Sequence, residues 1–261
     1  DGDSGTLLRA MMAVPISGDH GDELVAIIVD PPRVEITERH GYQQLLVTGI
    51  QASGHSIDLT HAATYESLQD IISVTGGMVR PKRDGESHLR IVHGGQVSEI
   101  PVVVSGREVA FDPNFIRDVN PVIAKAGCNG GSCHGSKDGK NGFKLSLRGY
   151  DPILDVRAFS DDHAGRRVNF ADADDSLMLL KATGAVPHEG GQRFALDSEY
   201  YQIIHDWIAA GCKLDHQGPT VSRIELFPKN PMVQKIGDQQ QLRVTAYYDD
   251  GSTRDVTAEA F

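Results

Sequence analysis

The sequence predicts a multidomain protein in three parts: an all-β sandwich, a mostly α-helical domain, and the start of a second β module. Three observations carry this expectation. Short runs rich in β-branched residues, separated by glycine-containing turns, fill the stretch after Pro31. Beyond residue 108, apolar residues recur at helical spacing behind capping residues. Finally, Gln44-Leu45-Leu46-Val47-Thr48, Gly54, Asp58-Leu59-Thr60 and Ala63 return at constant offset as Gln241-Leu242-Arg243-Val244-Thr245, Gly251, Asp255-Val256-Thr257 and Ala260. One supersecondary unit is therefore used twice. The expected boundaries are 1–30 for a partly ordered N-terminal segment, 31–107 for the sandwich, 108–216 for the helical domain and 217–261 for the incomplete second module.

Taken in order, Ile27-Ile28-Val29 reads as a strand, as do Arg33-Val34-Glu35-Ile36, Gln44 to Gly49, Leu89 to Val92 and Ile100 to Val104. In each repeat Gly54 or Gly251 allows a tight turn, Asp58 or Asp255 can bond neighbouring backbone, and an aromatic follows at Tyr65 or Phe261. A first helix is expected over 114–126, capped by Asn114 and delivering Cys128 at its end. Phe143 to Leu147 alternates like a short strand. Asp151-Pro152 opens a helix reaching Phe159, Asp175 to Lys181 forms another, and a last one runs from Asp197 to Ala210 with Gly211 as its stop. The second β copy is about half the length of a sandwich of ~100 residues. Its strands would lack partners of their own, as in a fragment of something longer, the favoured reading, or would pair with the first module or another molecule.

The chemistry centres on Cys128-Asn129-Gly130-Gly131-Ser132-Cys133-His134. Two thiols followed at once by an imidazole is the layout for covalent haem capture, with each thiol adding to a vinyl group and the histidine taking the iron's proximal position. Here four residues separate the cysteines, so Asn129 to Ser132 must bulge outward, which their composition permits. Two alternatives stay open. Cys128, Cys133 and His134 could give three ligands to zinc, or the two thiols could form a disulfide.

Together with Gly142-Phe143-Lys144-Leu145-Ser146-Leu147-Arg148-Gly149-Tyr150-Asp151-Pro152, Val186-Pro187-His188-Glu189-Gly190-Gly191 and His205-Asp206-Trp207-Ile208-Ala209-Ala210-Gly211, the cysteine motif resembles the planctomycete-type cytochrome c domain with the wide cysteine spacing. The resemblance spans about residues 112–215, and the two β copies resemble bacterial Ig-like group 2 domains. It implies a mono-haem module whose first and last helices cross, carried in a large exported protein. It also implies a distal ligand in the loop ahead of the last helix, where related domains place a methionine before a proline. Val186 holds that place and cannot ligate, so His188 is the natural substitute, with Met178 as competitor and His163 third. His205 and His216 read as surface positions. Arg166 and Arg167 are candidate partners for haem propionates, and Phe143, Leu145, Leu147, Ile203 and Trp207 are candidate pocket walls or plain core. Cys212 is left as an odd thiol.

A formal net charge of −11 argues against nucleic acid and anionic membranes as partners and leaves a basic redox protein as the expected one. No apolar run approaches the ~20 residues that span a bilayer. The chain opens at Asp1, which fits removal of a leader and a periplasmic or cell-surface location. The expected function is one-electron transfer through one haem c, with no catalytic residues. A haem-based sensor or peroxidase with an open distal side, and a non-redox scaffold or adhesion protein with a zinc or disulfide site, are the alternatives.

Overall fold

The computed structural model describes residues 23–215, 217–231, 233 and 236–260. His216, Phe261 and most of the N-terminal segment therefore lie outside the described residues.

The first module contains β1 (Leu24–Asp30), β2 (Val34–Ile36), β3 (Gln43–Gln44), β4 (Leu46–Gln51), β5 (Ser56–Asp58), β6 (Thr64–Ser67), β7 (Ile72–Thr75), β8 (Met78–Pro81), β9 (Gly85–His93) and β10 (Gln96–Val104). They form three sheets, ordered β1-β4-β5, β2-β10-β9-β6 and β3-β8-β7. The long hairpin β9–β10 is antiparallel with Gln96 opposite His93, and β2 joins β10 in parallel. Alternation puts Leu89, Ile91, Ile100, Val102 and Val104 inward, where they meet Val34, Val47 and Leu59. That apolar layer is the module's core.

The C-terminal module has β11 (Val221–Phe227), β12 (Arg243–Tyr248) and β13 (Thr253–Asp255) in one antiparallel sheet. These are the counterparts of β1, β4 and β5. The repeat extends to individual bonds: Asp58 Oδ1 accepts from Thr60 N and Oγ1 while Thr60 Oγ1 accepts from Val47 N, and Asp255, Thr257 and Val244 repeat the set. The copies also grip each other reciprocally. Asp255 accepts from Gln44 N at 2.7 Å, and Asp58 accepts from Gln241 N. One difference separates them: Leu24, Ile27 and Val29 of β1 pack on the first module's core, whereas their equivalents Val221, Ile224 and Leu226 are exposed.

Between the two copies lie α1 (Asn120–Lys125), α2 (Pro152–Ser160), α3 (Asp162–Gly165), α4 (Leu177–Ala182) and α5 (Glu199–Ala209). The expected caps Asn114 and Asp151 accept from Arg117 N and Leu154 N, while the last helix starts later than expected, capped by Ser198, which accepts from Tyr201 N. Phe115, Phe159, Leu179, Ile204, Trp207 and Ile208 form the core of this segment.

The expected fold class is corrected here. The described chain is mostly β, 29% strand against 20% helix, and no large α-helical cytochrome domain forms between the modules. The longest helix, α5, has 11 residues. The first helix is interrupted: residues Phe115–Val119 make a π-type turn before α1, where Pro121 has no N–H to donate to a continuous ladder. Phe143 to Leu147 forms no strand, only a bridge to Lys140 and then a 3-10 turn at Leu147–Gly149. Left-handed glycines at 127, 139, 142, 149, 165, 184, 191 and 211 keep breaking the chain, so apolar spacing closes only short helices.

The three parts are tied together. The buried carboxylate of Asp118 accepts from Arg117 and, at 2.6 Å, from Arg254 of β13. His40 of the first module is buried against Phe111 and contacts Glu199 and Asp206 of α5. A cavity of about 380 Å³ lies at this junction, lined by Tyr42, Ile203, Tyr200 and Tyr248 among others.

Candidate functional site

Helix α1 stops because Gly127 turns left-handed, with φ of 80°, and the turn delivers Cys128, whose N–H bonds back to Ile123 O at 3.0 Å. The next residues fold into consecutive tight turns: Cys133 N donates to Gly130 O and His134 N to Cys128 O. The four intervening residues bulge, as the spacing requires. The close point of the loop is Gly135, where a Cβ would lie 2.0 Å from Asn129 O. Both thiols are free, so the disulfide alternative is not formed. Burial pushes the Cys128 thiol up to about 11, against the nearby charge of Arg193, which keeps it protonated at neutral pH. Asn129 is fully buried, and neither side-chain amide atom has a hydrogen-bond partner.

His134 is held on three sides. Its Nδ1 bonds Phe143 O at 3.0 Å, its carbonyl accepts from Leu145 N at 2.8 Å, and its ring lies 4.4 Å from that of Phe143. Burial moves its pKa down, assisted by His188, so the neutral ring is favoured. Facing it is His188. The two imidazoles are parallel within 4°, with centroids 6.4 Å apart. His188 Nδ1 bonds Gly191 O at 2.9 Å, so in both rings a backbone carbonyl engages Nδ1 and no described protein group bonds Nε2. That is the tautomer of a metal-ligating histidine.

The other expected site residues divide sharply. Phe143 and Leu145 do stand beside His134, the first half-buried and the second buried. Trp207 is plain core: fully buried between Phe115 and Phe159, with Nε1 donating to Lys213 O. Arg167 is consumed within the fold, donating to Ala158 O at 2.6 Å and Gly142 O at 2.8 Å while lying over the Phe143 ring. Arg166 is exposed. Met178 sits half-buried on the segment's core. His163 is exposed in a left-handed turn beside Gly142, and the ring opposite His134 is that of His188. Leu147 is exposed and Ile203 lines the distant inter-module cavity. His205 is half-buried and bonded to Asp206 rather than free on the surface. Cys212 ends α5 in a left-handed conformation, its thiol pushed up to about 12 by burial.

Residues that spacing did not single out complete the arrangement. Arg193 donates to Ala126 O at 2.6 Å and Gly190 O at 3.2 Å, and Lys181 donates to Pro187 O at 2.7 Å. Their only sequence signal is position, flanking the His188 loop. Among the described residues no three His, Cys, Asp or Glu side chains gather as a metal site. No described helix is long and apolar enough to cross a membrane. Models of known protein families give no match to the chain, and no curated protein matches it.

Proposed function

We propose that the protein carries one haem c for one-electron transfer, with Cys128 and Cys133 as the attachment thiols and His134 and His188 as the axial ligands. The observation that carries this reading is the approach of two near-parallel imidazoles, those of His134 and His188, to 6.4 Å between centroids, each with Nδ1 engaged by a carbonyl. Two imidazoles this close could both serve one haem iron, which would be held by His134 and His188 and tethered by Cys128 and Cys133.

When bound, the haem supplies a reversible one-electron couple. The chain's residues do the rest. Phe143 O and Gly191 O accept from the Nδ1 atoms and leave each Nε2 available to a metal. Phe143 and Leu145 present apolar surface beside His134 and keep water from it. A histidine pair lacks the thioether that favours reduced iron, so the potential lies below that of a histidine/methionine site. A filled sixth position leaves no room for substrate, which favours an electron carrier over a sensor or peroxidase. The net charge of −11 suits a basic redox partner met outside the cytoplasm.

The test is production in a host that attaches haem c, followed by absorption spectra and intact mass after denaturation. Haem that survives denaturation, low-spin in both oxidation states and turned high-spin by His188→Ala, is the expected result. Protein of unmodified mass would sink the proposal.

A further inference from the structure

The two histidines are held in different ways. His134 bonds residues outside its own loop, whereas the Nδ1 bond of His188 ends on Gly191, within the same turn. A bond internal to a loop fixes the ring in the loop and says nothing of where the loop sits. With glycines at 184, 190 and 191, this stretch has little stiffness of its own. Its base rests on α4 through Val186 N to Leu180 O and Arg193 N to Ala182 O. Its tip rests on two cations. Lys181 reaches from α4 to Pro187 O, one residue before His188. Arg193 spans the site, with Nη1 on Gly190 O and Nε on Ala126 O, at the end of the helix that delivers Cys128. A single guanidinium thus joins the loop bearing one imidazole to the loop bearing both thiols.

We infer that Arg193 and Lys181 are positioning residues that clamp the His188 loop and so keep the sixth position of the iron closed. This rests on the haem reading above. Loss of the clamp leaves His134, Cys128 and Cys133 in place and lets His188 swing away, changing a closed electron carrier into a protein that admits small ligands. The arginine matters more, because it makes two of the bonds and lysine cannot span both carbonyls.

The experiment uses the holoprotein and carbon monoxide as the probe of the reduced iron. Arg193→Met should keep its covalent haem by intact mass, gain high-spin absorption, and bind carbon monoxide about tenfold faster or more, as expected from losing hydrogen bonds to a charged donor. Arg193→Lys should fall between this variant and wild type. Lys181→Met, which touches only the His188 loop, should bind carbon monoxide faster than wild type and remains readable if Arg193→Met assembles poorly. His188→Ala serves as the fully open reference. Low-spin spectra and wild-type carbon monoxide binding in both Lys181→Met and Arg193→Met or Arg193→Lys would overturn the clamp. A wild-type protein without haem, or a His188→Ala protein that stays low-spin, would overturn the haem or ligand assignment first, and the clamp with it.

Discussion

His134 and His188 face each other across the site, yet their loops are built on opposite plans. The His134 loop is crowded at its base: Asn129 is fully buried and Gly135 passes so close to Asn129 O that a side chain has no place. The His188 loop lies open, with Gly190 and Gly191 exposed and empty space where a Cβ at Gly191 would point. The first loop gets its shape from its own crowding and the second from two cations outside its tip. The difference teaches that one ligand is part of the fold and the other is delivered to it.

Exchanging the ligands should break that comparison most visibly. His188→Met should remain low-spin and raise the midpoint potential, since a thioether favours reduced iron, whereas His134→Met should lose the assembled chromophore. Spectra and potentiometric titration distinguish the two, and equal behaviour would show the loops to be equivalent. A smaller effect comes from adding one carbon to each loop. Gly135→Ala forces a contact of 2.0 Å with backbone and should destabilise by about 3 kcal/mol. Gly191→Ala meets nothing and should cost about 1–2 kcal/mol for its left-handed backbone. Urea midpoints measure both, and reversal of their order would refute the crowding argument. The smallest effect is expected at Asn129, where replacement by Ala in haem-free protein removes no hydrogen bond and should change stability by no more than about 1 kcal/mol. A larger loss in the same urea titration would mean that the amide is satisfied by ordered water.

The flanking repeats offer a matched test of a different kind. Asp255 accepts from Gln43, Gln44 and Thr257 and is buried, while Asp58 accepts from Thr60 and Gln241 and is half-buried. Asp255→Ala should therefore cost about 2–3 kcal/mol and Asp58→Ala about 1–2 kcal/mol, again by urea titration. Equal losses would mean that the extra Gln43 bond and the deeper burial of Asp255 add nothing.

What could be seen in the chain beforehand was short-range. Asn114 and Asp151 cap helices because a side-chain oxygen reaches an N–H only two or three residues on. Asp58 with Thr60, and Asp255 with Thr257, close their turns over a similarly small distance. The cysteine–histidine motif is equally local, and His188 stood out only because the expected methionine was absent. The helical expectation failed where local pattern met a competing signal. Apolar spacing from Phe115 onward suggested one continuous helix, but Pro121 has no N–H to continue the ladder and the segment is a π-type turn followed by the short α1.

Sequence alone determined the thiols, the adjacent imidazole, the caps and the doubled Asp-x-Thr unit, because each depends on residues within a few positions of one another. Tertiary structure alone decided that His188 stands parallel to His134, that Arg167 serves Phe143 and two carbonyls, that Arg193 bridges Ala126 and Gly190, and that Asp58 and Asp255 exchange partners between copies. Most of these contacts join residues far apart along the chain, Arg193 with Ala126 and Gln44 with Asp255 among them. No periodicity records such a meeting, which is set by how the packed segments bring their surfaces together.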